Sequence, residues 1–295
     1  MSSALPESHQ VISTTVEERL RSLGQYGKTP TDLDALLGDA DLTLIEDDPG
    51  RIQEVIQSLR LSERGKRTLN RGLNKVKGAI GLRERVVWVK PQGNHLFERF
   101  PKAHELTHGV LPWHDTSQID DHFTLSPEVR ATLERQANFG ASEFLFQCRL
   151  FKDKAEGKHE SIDAALALAD EHAATRASTL WRYVQVHDRA LALLAYKKCD
   201  GGYAIRRAVL SPKFEKTHSG LLIPDKIPPD HEWVARDPLS NAIKRGDSHF
   251  QDGKGRFKFD WQSWTNQYDY FVLLSKASKL HLIGNVVWPF QKATA

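Results

Sequence analysis

Phe97-Glu98-Arg99-Phe100-Pro101-Lys102-Ala103-His104-Glu105-Leu106-Thr107-His108 is the stretch from which the rest of the chain is best read. Around it Leu96, Phe100, Ala103, Thr107 and Val110 recur with the period of a helix. Pro101 either kinks that helix or starts it afresh, and Pro112 ends it. Residues four apart on a helix share a face, so His104 and His108 can take adjacent corners of a Zn2+ tetrahedron. Glu105 is offset by one position, where its carboxylate can reach a water at the metal without being a ligand. Zinc brings the pKa of such a water to about 7, so this carboxylate is the expected general base, returning the proton to a leaving amine. The bare pattern also fits a charged surface helix with two histidines. Its setting, an apolar-periodic helix after a β-rich strand, favours the metal.

A catalytic zinc takes a third protein ligand and leaves one position open. His114 lies six residues after His108, which is the metzincin spacing. That pattern needs a glycine where Leu111 stands and a methionine under the metal, and Met1 is the only methionine. Glu134 is favoured instead. It lies on a helix opened by Ser126 as N-cap and Pro127 in the first turn, running to about Gln147. Ala137, Gly140 and Ala141 follow and would let this helix approach the one bearing His104, a neighbourhood that Glu128 and Glu143 lack. His114 stays open as an alternative ligand; directly after Pro112-Trp113 it also reads as a loop anchor, in preference to a substrate-groove residue. Glu134 could equally be a helix-face carboxylate paired with an arginine.

Upstream, residues 1–13 read as a polar tail, and a helix is expected from Thr14, boxed with Glu17, to near Gly24. A short helix follows Thr31, with Leu33, Leu36 and Leu37 on one face, then a strand at Leu42–Ile45. Residues 50–77 read as helical, their basic second half (Arg64, Lys66, Arg67, Arg71, Lys75, Lys77) as a solvated face. Ala79–Val89 is expected to be a strand or hairpin. Downstream, residues 161–196 read as two helices broken near Ala174–Thr175, a helix-turn-helix-like pair. Arg176, Arg182 and Arg189 offer a modest charge for DNA phosphates, although such a pair is more often a packing unit; Arg182 or Tyr183 is a secondary candidate for oxyanion stabilisation. After Gly201 the texture turns β-rich, at Phe257–Trp261, Tyr270–Leu274 and Leu280–Trp288. Trp261, Trp264, Tyr268, Tyr270 and Trp288 read as the core of that part.

At 295 residues the chain has room for two or three domains. Lys and Arg total 41 against 38 for Asp and Glu, too even a balance for a dedicated nucleic-acid binder. Cys148 and Cys199 cannot build a disulfide framework or a thiolate-rich zinc site and fit a reducing cytosol. The first residues lack the features of a secretory signal, and no apolar run approaches the roughly 20 residues of a membrane span. A cytoplasmic protein without a membrane partner is expected.

FERFPKAHELTH at 97–108, followed by a variable loop and then ERQANFGASEFL at 134–145, resembles the ImmA/IrrE family of metallopeptidases. That family pairs an AHExxH helix with a later ExxAN-x-x-A helix, and the likeness extends upstream to TPTDLDALL at 29–37. Pro101 departs from the family pattern. The resemblance implies zinc held by His104, His108 and Glu134, catalysis by Glu105, and Asn138 supporting the packing of its helix. It also implies an α+β fold, in which a mainly helical zincin-like peptidase domain with a small β-sheet spans 14–155. A helix-turn-helix-like segment would follow at 156–198, then a β-rich α/β C-terminal domain for sensing or partner binding at 199–295. The expected activity is zinc-dependent endopeptidase cleavage of a cytoplasmic protein, typically a transcriptional repressor, in stress or mobile-element regulation. The alternative is a metal-containing regulatory or DNA-binding protein without peptidase activity.

Overall fold

The computed structural model describes residues 7–45, 78–81, 85–114, 126–218, 220–234, 242–252, 255–266 and 268–276. The basic run within 50–77, the β-rich run at 280–288 and Trp288 lie outside them. The chain divides into two compact units, one of residues 1–151 with 169–175 and one of residues 152–168 with 176–295.

In the first unit, helix α1 (Glu7–Ser22) buries Ile12, Val16 and Leu20, one residue per turn. It starts a full turn and more before Thr14, because the apolar period continues upstream and His9 stacks on Phe139 at 4.0 Å between ring centroids. Helix α2 (Leu33–Asp39) is capped by Asp32, whose carboxylate accepts from the Asp34 and Ala35 amides, and it buries Leu33, Leu36 and Leu37. Strands β1 (Thr43–Ile45), β2 (Gly78–Gly81) and β3 (Val86–Val89) make a small sheet in the order β1-β3-β2. β1 runs parallel to β3, and β2 and β3 form the antiparallel hairpin. Helix α3 (His95–Val110) begins at the Asn94 cap and is continuous through a buried Pro101. Helix α4 (Pro127–Phe146) begins at the Ser126 cap and ends at Gln147, which adopts the left-handed conformation at φ 48°.

Helices α5 (Cys148–Glu156) and α6 (Ile162–Glu171) each span the two units' boundaries in sequence. The second unit continues with α7 (Arg176–Val186), β4 (Leu191–Cys199), β5 (Gly202–Leu210), α8 (Pro212–His218), β6 (Lys226–Ile227), β7 (Lys244–Asp252), β8 (Gly255–Thr265) and β9 (Asp269–Lys276). These strands form one sheet in the order β6-β5-β4-β9-β8-β7, with antiparallel pairing throughout. One face carries an apolar cluster that includes Leu194, Tyr196, Phe214, Trp233, Phe259, Trp261 and Val272. Along β4, Leu191 to Tyr196 are all buried, so consecutive side chains are covered whichever way they point.

This architecture corrects the expected fold class. The largest regular assembly is a six-stranded antiparallel sheet rather than a mainly helical zincin-like body. The second helix of the expected helix-turn-helix-like segment stops at Val186, and Leu191–Cys199 is a central strand instead. A strand covered on both faces is apolar without alternation, and LALLAY is for that reason indistinguishable by period from a buried helix. Among the described residues no helix is long and apolar enough to cross a membrane.

Candidate metal centre

All the residues of the candidate centre belong to the first unit. α3 supplies His104 and His108, one turn apart, with Glu105 between them in sequence. α4 supplies Glu134 and, two and four residues on, Gln136 and Asn138. The two helices come close where Gly140 faces Thr107: a Cβ at 140 would lie 2.3 Å from Thr107 Cγ2. Ala137 and Ala141 are fully buried beside it. Small side chains at this crossing therefore let the carboxylate of one helix reach the imidazoles of the other.

One ligand atom each from His104, His108 and Glu134 lies within 4.8 Å of the others. His104 Nε2 is 3.3 Å from His108 Nε2 and 3.3 Å from Glu134 Oε2, and His108 Nε2 is 3.8 Å from Glu134 Oε1. The edge of a tetrahedron with zinc-length bonds is about 3.3 Å, so the donor spacings match what a zinc ion would span. Two imidazole nitrogens and a carboxylate are also a donor set of catalytic zinc sites. The residues present fit the ion.

The outer nitrogens of both histidines are occupied. His104 Nδ1 is 3.2 Å from Asn138 Oδ1, and His108 Nδ1 is 2.9 Å from His114 Nδ1. Asn138 is exposed, and its Oδ1 faces an imidazole of the other helix. His114 is fully buried in the helical residues 112–114 that follow α3, where its backbone N–H donates to the Leu111 carbonyl at 2.9 Å. Its Nε2 is 3.0 Å from Gln136 Oε1, which also accepts from Trp113 Nε1 at 2.9 Å. His114 thus stands behind His108, outside the group of converging ligand atoms. Gln136 and Trp113 carry no sequence signal for this role, because their meeting depends on the path of the turn.

The charges respond to this packing. Burial of the Glu105 carboxylate pushes its pKa up to about 7, with His104 pulling it down and Glu134 pushing it further up. Its Oε1 packs against β2, 2.8 Å from where a Cβ on Gly78 would stand, so a side chain there would displace the carboxylate. Burial opposes the His104 cation, but the hydrogen bond to Glu134 and the charges of Glu105 and Glu134 outweigh it and raise the pKa. Glu134 is held below the usual carboxylate range, chiefly by its hydrogen bond with His104. The His114 pKa is lowered by burial.

The other candidates lie in the second unit. Arg182 and Tyr183 are buried on α7, and the Tyr183 hydroxyl lies 3.5 Å from the His159 carbonyl oxygen. Arg189 is ion-paired with Glu160, and the Arg176 guanidinium sits over the Trp264 ring at 5.7 Å. Trp261, Trp264 and Tyr270 are buried in or beside the sheet, whereas Tyr268 is 78% exposed and is no core residue.

No protein-family model and no curated protein matches the chain. Among solved structures the chain is similar to one described as a Mycobacterium tuberculosis transcriptional regulator. The two share 16% sequence identity over 96% of this chain and 94% of that one, with a TM-score of 0.53. At that identity the likeness shows the fold alone. The fold is that of a protein described as a regulator, along nearly the whole chain, and this overturns the zincin-like fold expected from the sequence.

Proposed function

We propose that the chain is a regulatory protein with a zinc centre at His104, His108 and Glu134 that hydrolyses a peptide bond in a cytoplasmic protein, a transcriptional repressor. The observation that carries the reading is the convergence of these three ligand atoms beside a buried Glu105. The motif resemblance to ImmA/IrrE peptidases supports the hydrolytic part, and the fold shared with a protein described as a transcriptional regulator supports the regulatory part.

His104, His108 and Glu134 would hold the ion. A bound zinc supplies a Lewis acid to the scissile carbonyl and acidifies water. Asn138 and His114 hold the two imidazoles in place from behind. Glu105 takes a proton from the attacking water as its oxygen adds to the carbonyl carbon, and passes it to the amine nitrogen as the C–N bond breaks. Burial suits it to both roles, since a carboxylate with a raised pKa is a stronger base than an exposed one.

The test is co-expression with repressors encoded beside the gene, followed by fragment analysis with and without chelator. Glu105→Gln should retain about one zinc per chain and lose cleavage by at least about 100-fold, since the base is gone and the ligands remain. Full cleavage by that variant would rule the mechanism out. A second reading, a metal-containing regulator without hydrolysis, is favoured by the fold likeness. Specific binding of an operator fragment that survives chelation, together with an intact repressor in every co-expression, would select it.

A further inference from the structure

Trp113 allows the direction of the hydrogen bonds that run from Gln136 through His114 to His108 to be worked out. An indole N–H only donates, so the Gln136 atom facing Trp113 Nε1 at 2.9 Å is the amide oxygen, which only accepts. The same oxygen lies 3.0 Å from His114 Nε2, which must therefore carry its proton and donate. A neutral imidazole with a proton on Nε2 has a lone pair on Nδ1. That lone pair faces His108 Nδ1 at 2.9 Å, so His108 carries its proton on Nδ1 and turns an unprotonated Nε2 toward His104 and Glu134. Reversing any bond in the series would put two donors, or two acceptors, face to face.

We propose that His114, held by Gln136 and Trp113, is a positioning residue that keeps His108 in the one tautomer able to bind a metal through Nε2. It extends the metal-centre reading above and does not depend on peptidase activity. Two features of the site favour the role. His114 is fully buried, so water cannot substitute for its lone pair, and its ring stands 4.8 Å from the His108 ring, which fixes orientation as well as proton position. Glu134, two residues before Gln136 on α4, ties the same helix turn to both a ligand and the support of a ligand. Outer partners of this kind typically change metal affinity by about 10–100-fold when removed.

The test compares zinc affinity, measured by competition with a chelator, among the wild type, His114→Phe and His114→Asn, each first shown to be folded without metal by circular dichroism. The phenyl ring keeps the bulk and loses the acceptor, so His114→Phe should bind zinc about 10–100-fold more weakly. Asparagine can place Oδ1 where Nδ1 stood, so His114→Asn should stay near the wild type. The visible spectrum of the Co2+ form should change with the phenylalanine and return with the asparagine. Wild-type affinity in a folded His114→Phe variant, or equal weakness in both variants, would overturn the assignment. Should His114→Phe fail to fold, Gln136→Leu releases the His114 proton instead and should weaken zinc in the same direction; unchanged affinity there would also overturn it. A wild type that takes up no zinc removes this assignment and the metal centre together. One that binds zinc and cleaves nothing removes only the hydrolytic reading.

Discussion

Glu105 shows how burial and charge set the behaviour of a single group. Its pKa is pushed up to about 7, so the native state favours the neutral carboxyl more than the unfolded chain does. A raised carboxyl pKa means that the native state holds the proton longer, and stability falls as pH rises between the ordinary carboxyl range and about 7. For the metal-free protein, urea unfolding at about pH 5 and about pH 8 should therefore show a loss that Glu105→Gln reduces by on the order of 2–3 kcal/mol. The charge of Glu105 also helps raise His104, so the difference between the two proteins reports the Glu105 carboxyl together with its coupling to the His104–Glu134 pair. Equal pH dependence in the two would mean that the carboxyl is not buried in the neutral form. The positions of His104, Glu105 and His108 were legible in the sequence because helical spacing is a local property. The role of His114 was not: it depends on where the residues after Val110 carry the ring, and the sequence favoured a loop anchor, with the ligand spacing unsupported by the residues around it.

At the scale of elements, the centre depends on how closely α3 and α4 cross. A methyl group at position 140 would collide with the Cγ2 methyl of Thr107, and Thr107 is itself held by a 2.7 Å bond from its hydroxyl to the Ala103 carbonyl. The side chain has no easy way to yield, so the helices must separate. Gly140→Ala should cost about 1–3 kcal/mol in thermal or urea unfolding and should weaken zinc binding as well. A variant with undiminished stability and affinity would show that the crossing has slack. The small residues near Glu134 announced this approach in the sequence, because a close helix crossing requires them. LALLAY misled for the opposite reason: two-sided burial erases the alternation that marks a strand, and alanine and leucine then favour a helical reading.

For the whole molecule, the first unit gathers all three proposed ligands, which come from two helices, one ending at Val110 and the other beginning at Pro127. A ligand that binds only the folded form stabilises it by mass action, about 2.7 kcal/mol at a hundredfold excess over Kd. Hydrogen exchange should therefore slow at the amides of α3 and α4 on addition of Zn2+, and chelator should reverse it; unchanged exchange there would count against the centre. Taken alone, the amino-acid sequence determined the donor types, their helical spacing and the small residues that permit a close crossing, since each is set within a few turns of one element. Only the tertiary structure decided that Leu191–Cys199 is a central strand and that the fold is not zincin-like. It alone also showed that Trp113, Gln136 and His114 line up behind His108. Those outcomes depend on contacts between residues distant along the chain, where burial and hydrogen-bond partners override local preference.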